Sequence, residues 1–105
     1  MIDSQMLKGI IDGIILEIIN KNQTYGYEIV EELKRKGFYN MTEGTVYPIL
    51  KRLTKKGYLM ATFRKSDVGP KRKYYYLTEI GQKKLKVFKD SYSEMTKAVN
   101  KIFYE

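Results

Sequence analysis

Apolar residues in the first twenty positions recur at intervals of three and four: Met6, Leu7, Ile10, Ile11, Ile14, Ile15, Ile18 and Ile19. That spacing predicts a helix from Ser4 to Asn20 with a broad apolar stripe. Gly9 and Gly13 each weaken such a helix by about 1 kcal/mol relative to Ala. Either each glycine admits a close neighbour, or the helix tolerates both. A polar break at Lys21-Asn22-Gln23 then leads to Thr24, a candidate cap for a second helix carrying Tyr27, Ile29, Val30 and Leu33, with Gly37 as its stop. A third helix is predicted from about Thr42, with Val46, Ile49, Leu50 and Leu53 on its core face and Gly57 at its end. Pro48 lacks an N–H and restricts Tyr47, so a local distortion is expected there.

The period then changes. Two runs rich in strand formers, Tyr58 to Arg64 and Lys71 to Leu77, flank Lys65-Ser66-Asp67-Val68-Gly69-Pro70 and read as a hairpin with a loose tip. Thr78 can cap a last helix reaching towards Tyr104. Along it, Leu85, Phe88, Tyr92, Met95, Val99 and Ile102 alternate steps of three and four, like the a and d positions of a heptad. Such a helix spans roughly 40 Å, more than a small domain covers, so its distal stripe calls for a second subunit. The first helix, through Met6, Ile10, Gly13 and Ile14, is the natural opposing wall. Phe88, Tyr92 and Met95 are candidates for an effector cavity at that seam, although such a stripe also serves as plain interface core.

The chain has 105 residues, 20 Lys plus Arg against 12 Asp plus Glu, and no Cys, His or Trp. One domain is expected at that length. Without Cys or His there is no common zinc site, thiol nucleophile or disulfide framework, and the usual general base is missing. An enzyme is therefore not expected, nor is any metal or cofactor. The first residues do not form a signal peptide, and no apolar run approaches the roughly 18 residues of a membrane span. A cytoplasmic protein is the expectation.

The charge is segregated. Residues 1–33 carry two basic and six acidic side chains, residues 34–77 twelve and two, and residues 78–105 six and four, for net charges of −4, +10 and +2. A basic segment of that kind is the footprint of a polyanionic partner, here double-stranded DNA. On a helical wheel, Gly44, Pro48, Lys51, Arg52 and Lys55 lie opposite the core face of the third helix, with Tyr47 at the edge. The small first turn suits a major groove, where Thr45 would meet base edges while Tyr47, Lys51 and Arg52 hold the backbone. Tyr47 equally fits partial core packing. Arg64, Lys71, Arg72 and Lys73 place cations on both arms of the hairpin, and of Tyr74, Tyr75 and Tyr76, alternation leaves open which one meets DNA.

Three segments together resemble the PadR-like family of winged-helix transcriptional regulators: Tyr25-Gly26-Tyr27-Glu28-Ile29, the run from Gly44 to Leu53 followed by Gly57-Tyr58-Leu59, and Gly69 to Tyr75 leading into Leu77-Thr78-Glu79-Ile80-Gly81. The resemblance implies a mainly α, α+β winged helix-turn-helix fold with a three-helix core, a two-stranded β-wing and one long C-terminal dimerisation helix. Residues 1–77 would form the DNA-binding domain and residues 78–105 the dimerisation helix. It implies a homodimeric repressor on a pseudo-palindromic operator, tuned by a small aromatic or cationic effector. It places DNA contact at Tyr25, Thr45, Tyr47, Lys51 and the wing cations Arg64, Lys71, Arg72 and Lys73; the exposed face of the third helix adds Pro48, Arg52 and Lys55 as candidates, and the wing adds Tyr75. Some short members stack planar ligands between tryptophans on the last helix; this chain has none, and Tyr92 is the nearest aromatic. The competing reading is a winged-helix adaptor that docks an acidic protein and does not bind DNA.

Overall fold

The computed structural model describes residues 1–105. Its elements run α1 (Ser4–Lys8), α2 (Ile11–Lys21), β1 (Thr24–Tyr25), α3 (Gly26–Arg35), α4 (Glu43–Lys55), β2 (Leu59–Arg64), β3 (Arg72–Leu77) and α5 (Glu79–Tyr104). The expected architecture of three core helices, a hairpin and a long last helix is present, with two additions. The N-terminal helix is two helices rather than one: α1 stops at Gly9 and α2 restarts after Ile10. Gly9 is one of the two least helix-prone residues of that stretch and the break falls there, whereas Gly13 stays within α2.

The second addition is β1. Thr24 does not cap α3 but lies in a two-residue strand on the edge of the sheet, opposite Tyr75, with Tyr25 opposite Tyr74. The sheet order is β1-β3-β2, antiparallel throughout. Tyr25, in extended conformation, is the N-cap of α3 and makes no side-chain capping bond there. The Thr24 hydroxyl instead donates to Glu28 Oε1 at 2.6 Å.

Glycines close the two helices that build the helix-turn-helix. Gly37 and Gly57 both take positive φ, 111° and 85°, the conformation an αL stop needs. The Phe38 N–H then reaches back to the Leu33 carbonyl and the Tyr58 N–H to that of Leu53. Between them α4 begins after Thr42 as expected and continues through Pro48 without a break in its assignment. The proline's missing N–H would have bonded the carbonyl of Gly44, in the exposed first turn.

The core is formed by Ile15, Leu16 and Ile19 of α2, Ile29 and Leu33 of α3, Val46, Leu50 and Leu53 of α4, then Leu59, Tyr75 and Leu85 from the sheet and α5. Only the proximal part of α5 takes part. Gly81 packs so tightly on the Tyr58 backbone that a methyl group there would overlap the Tyr58 carbonyl. Thr78 fixes the entry angle, its hydroxyl donating to the Gly57 carbonyl at 2.5 Å and accepting from the Gly81 N–H at 3.1 Å.

Two residues expected at a subunit seam lie in this core instead. Leu85 is buried within its own chain. Gly13 is buried under the ring of Phe88, which occupies the place a side chain on Gly13 would need. A heptad stripe does not say whose helix fills the groove, and for its first turns the partner is α2 of the same chain.

Candidate nucleic-acid interface

Helix α4 presents Gly44, Thr45, Tyr47, Pro48, Lys51 and Lys55 to solvent, opposite the buried Val46, Ile49, Leu50 and Leu53. Thr45 sits 3.3 Å from the Thr42 hydroxyl, oxygen to oxygen. The Tyr47 ring lies directly on Gly26, where any side chain would collide with it. Tyr47 is thus both packed and exposed: one face braces the start of α3, and about half the residue remains accessible. Burial, with the nearby Glu43 carboxylate, raises its pKa above the ordinary tyrosine value. The phenol stays neutral at physiological pH and keeps its proton to donate.

Arg52 departs from expectation. Its guanidinium forms a bidentate pair with Asp12 of α2, Nη1 to Oδ2 at 2.5 Å and Nη2 to Oδ1 at 2.9 Å. That bond, outweighing partial desolvation, raises the Arg52 pKa further. A guanidinium held in this fork is a strut between α2 and α4, not a free phosphate contact. Lys51, one position earlier, has no such partner.

Tyr75 is the second correction: it is 5% exposed, and its ring belongs to the core. Burial raises its pKa, with a contribution from Tyr47. Its neighbour Tyr74 takes the outer face. There the rings of Tyr25 and Tyr74 stand 5.2 Å apart, with the Arg72 guanidinium 4.5 Å from the Tyr25 centroid and that of Arg64 4.4 Å from Tyr74. Arg64 and Arg72 are direct cross-strand partners, so the hairpin register places the two cations on one face and the two tyrosines pack between them. Arg64 also donates to the Gln23 side chain. Each cation–π contact at an exposed site contributes about 0.5–1 kcal/mol, enough to restrain long side chains that would otherwise be free.

The residue pattern alone does not point to Tyr74 or Gln23. Their roles depend on β1, which brings Tyr25 beside Tyr74, and no local periodicity announces a two-residue strand. At the wing tip the Ser66 hydroxyl lies 3.0 Å from the Val68 and 2.8 Å from the Pro70 carbonyl, and Gly69 supplies a positive φ of 98°. Lys65, Lys71 and Lys73 remain exposed around it.

At the far end, Phe88 is half-buried while Tyr92, Met95, Val99 and Ile102 are exposed, as is Met6 of α1; Ile10 and Ile14 are partly covered. The Phe88 and Tyr92 rings stack at 6.2 Å. A groove of about 580 Å³ runs past Gly13, Ile14, Glu17 and Phe88, but Tyr92 and Met95 are not among its lining residues. No group of three or more acidic residues is placed to hold a metal ion, and no helix is long and apolar enough to cross a membrane.

A helix-turn-helix core, an arginine-bearing β-wing and a long terminal helix define a winged-helix protein of the transcription-regulator class. The sequence pattern of the transcriptional regulator PadR-like family matches residues 15–87. The crystal structure of a PadR-like transcriptional regulator from Bacillus cereus superposes with a TM-score of 0.90 at 41% identity, covering 97% of this chain and 99% of that one. A Streptococcus transcriptional regulator gives a TM-score of 0.86 at 35% identity, covering 95% and 98% of the two chains. The negative transcriptional regulator PadR of Bacillus subtilis is 35% identical over 75 residues, which are 68% of this chain and 40% of that protein. The chain belongs to the PadR-like family of transcriptional regulators, which are not enzymes.

Proposed function

We propose that this regulator is a cytoplasmic repressor that occupies a pseudo-palindromic operator as a homodimer, with α4 in the major groove and the wing beside it. The observation that carries the reading is the state of its cations. Of the nine Lys and Arg residues between Lys51 and Lys73, Arg52 alone is paired with a carboxylate. The others are left for an anion the chain does not itself supply. Regulators of this family bind DNA, and this reading assigns Thr45 and Pro48 to base edges, Tyr25, Tyr47, Lys51 and Lys55 to phosphates, and Arg64, Lys71, Arg72 and Lys73 to contacts along the wing.

In this reading residues 1–77 are the DNA-binding unit and residues 78–105 the dimerisation element. The exposed distal stripe of α5 supports the second subunit, and a two-fold axis then spaces the two α4 helices for half-sites about 34 Å apart. Control by a small aromatic or cationic effector belongs to the same reading, with the stacked Phe88 and Tyr92 rings and Met95 as its surface.

Selection of bound sequences from a random duplex pool, followed by titration at several salt concentrations, tests the proposal. A palindrome bound by two chains is expected. Lys51→Ala and Lys71→Ala should each lower the slope of log affinity against log salt by about one unit for every phosphate left without its cation. Failure to enrich any sequence at low salt would sink it.

A further inference from the structure

The wing carries one exposed aromatic ring that phosphate attraction does not explain. Phe63 is 67% exposed, in a hairpin that otherwise exposes five cations, the apolar Met60 and Val68, and small or polar residues. Its direction follows from the register. Leu59 and Ala61 face inwards, and Ala61 is paired with the buried Tyr75. Two residues further on, Phe63 leaves the strand on that same face, beyond the last core residue and towards the tip. This is the side of the sheet that α4 packs against, since Leu59, Ala61 and Tyr75 join Val46, Leu50 and Leu53 in one core. Lys73 is the cross-strand partner of Phe63, and its ammonium lies 5.9 Å from the Phe63 centroid and 5.8 Å from that of Tyr75.

We propose that Phe63 is a specificity-determining DNA contact: its ring enters the minor groove flanking the major groove held by α4, as an apolar wedge beside the wing lysines. The inference rests on the operator-binding reading above. Its support is the order of chemistry on that face of the wing. The Phe63 ring has Lys73 directly beside it and Lys65 and Lys71 following towards the tip, while Arg64 and Arg72 turn to the opposite face with Tyr25 and Tyr74; Asp67 is the one acidic residue of the hairpin. A minor groove offers the complementary order, apolar sugar faces between two phosphate rims, across about 6 Å. An apolar protein surface would have to desolvate those cations without pairing them, at high cost.

A wedge reads deformability. Pyrimidine–purine steps unstack most easily, so a ring pressed against them gains specificity without a base hydrogen bond. Operators selected by the wild-type chain should therefore carry a TA or CA/TG step where the wing lies.

The test compares wild type, F63A and F63W in the same pool selection, then titrates each against the wild-type operator. F63A is expected to bind about tenfold more weakly, because it no longer buries an apolar ring against the groove. Its salt slope should match wild type, because no cation is removed, and its selected sites should lose the step preference. F63W should stay within about threefold of wild type, since it keeps a flat apolar ring at that place. As the side chain is exposed, unfolding midpoints should coincide. The inference is overturned if F63A binds like wild type with the same step preference. It is overturned equally if its loss of affinity follows a loss of dimer in sedimentation, which would set Phe63 against protein. A wild-type chain that selects no sequence would bring down the operator reading itself, a result distinct from both.

Discussion

The two halves of α5 share one apolar period and have opposite surroundings. In the proximal half, Gly81 and Leu85 are buried and Phe88 covers Gly13. In the distal half, Tyr92, Met95, Val99 and Ile102 are 45%, 48%, 38% and 80% exposed, and Phe103 and Tyr104 follow them into solvent. A helix of 26 residues outruns the core it starts from, because three short helices and a small sheet cover only its first turns. One periodic stripe is thus covered by the chain's own α2 over its first turns and left open beyond them; in the homodimer proposed above, the open half meets the second subunit. Contiguous apolar area of that kind marks an interaction site.

The proximal half is where the largest effect is expected. Leu85→Ala removes a fully enclosed side chain between α5 and the core, and such truncations cost about 2–5 kcal/mol. Urea unfolding of the variant should show that loss as a lower midpoint with an unchanged slope. A loss below about 1 kcal/mol would mean that α5 is not held as the core suggests, and the contrast between its halves would fall.

The distal half should respond in its assembly rather than its fold. Val99→Asp leaves the core packing in place, so the chain should keep its helical signal and remain folded. It should, however, weaken self-association by about a hundredfold, since a carboxylate would be buried unpaired in an apolar seam. Sedimentation over a concentration series is the measurement, and the wild-type unfolding midpoint should rise with concentration while that of V99D should not. A dimer of wild-type strength in V99D would place the interface elsewhere.

Between these extremes lies the question of what the amino-acid order made legible. Boundaries with local chemistry were: Gly57 ends α4 because a positive-φ stop acts within its own turn, and Thr42 opens it in extended conformation, although its hydroxyl makes no capping bond. Elements that exist through distant residues were not. Strand β1 consists of Thr24 and Tyr25, and what makes it a strand is Tyr74 and Tyr75, some fifty positions away. The same distance hid the Arg64, Tyr74, Tyr25 and Arg72 stack. Adjacent lysine and arginine at positions 51 and 52 read alike as exposed cations, yet the angle between α4 and α2 puts Arg52 against Asp12 and leaves Lys51 free. Alternation correctly divided Tyr74 from Tyr75, and only the sheet's docking on α2 and α4 decided which of them is core. The helical period placed Leu85 and Val99 on one stripe; the size of the domain, a global property, separates them.

The smallest expected effect sits at the boundary between the two halves. Lys89, one residue past Phe88, donates to Glu17 of α2 at 2.6 Å, and it is the last side-chain link from α5 to the rest of the chain. The bond to Lys89 is the main reason the Glu17 pKa lies below its ordinary value, partial burial acting the other way. A depressed carboxylate pKa means that the unfolded chain takes up a proton before the folded one does. The pair's contribution is therefore present above the ordinary glutamate range and is lost as pH falls through the lowered folded value. Both side chains are partly exposed, so Lys89→Ala should cost less than about 1 kcal/mol at neutral pH. Unfolding curves of wild type and K89A should converge as the pH falls below that of free glutamate, and should also draw together at high salt. A gap between them that persisted in acid would show that Lys89 acts by packing its stem against α2 rather than by its charge.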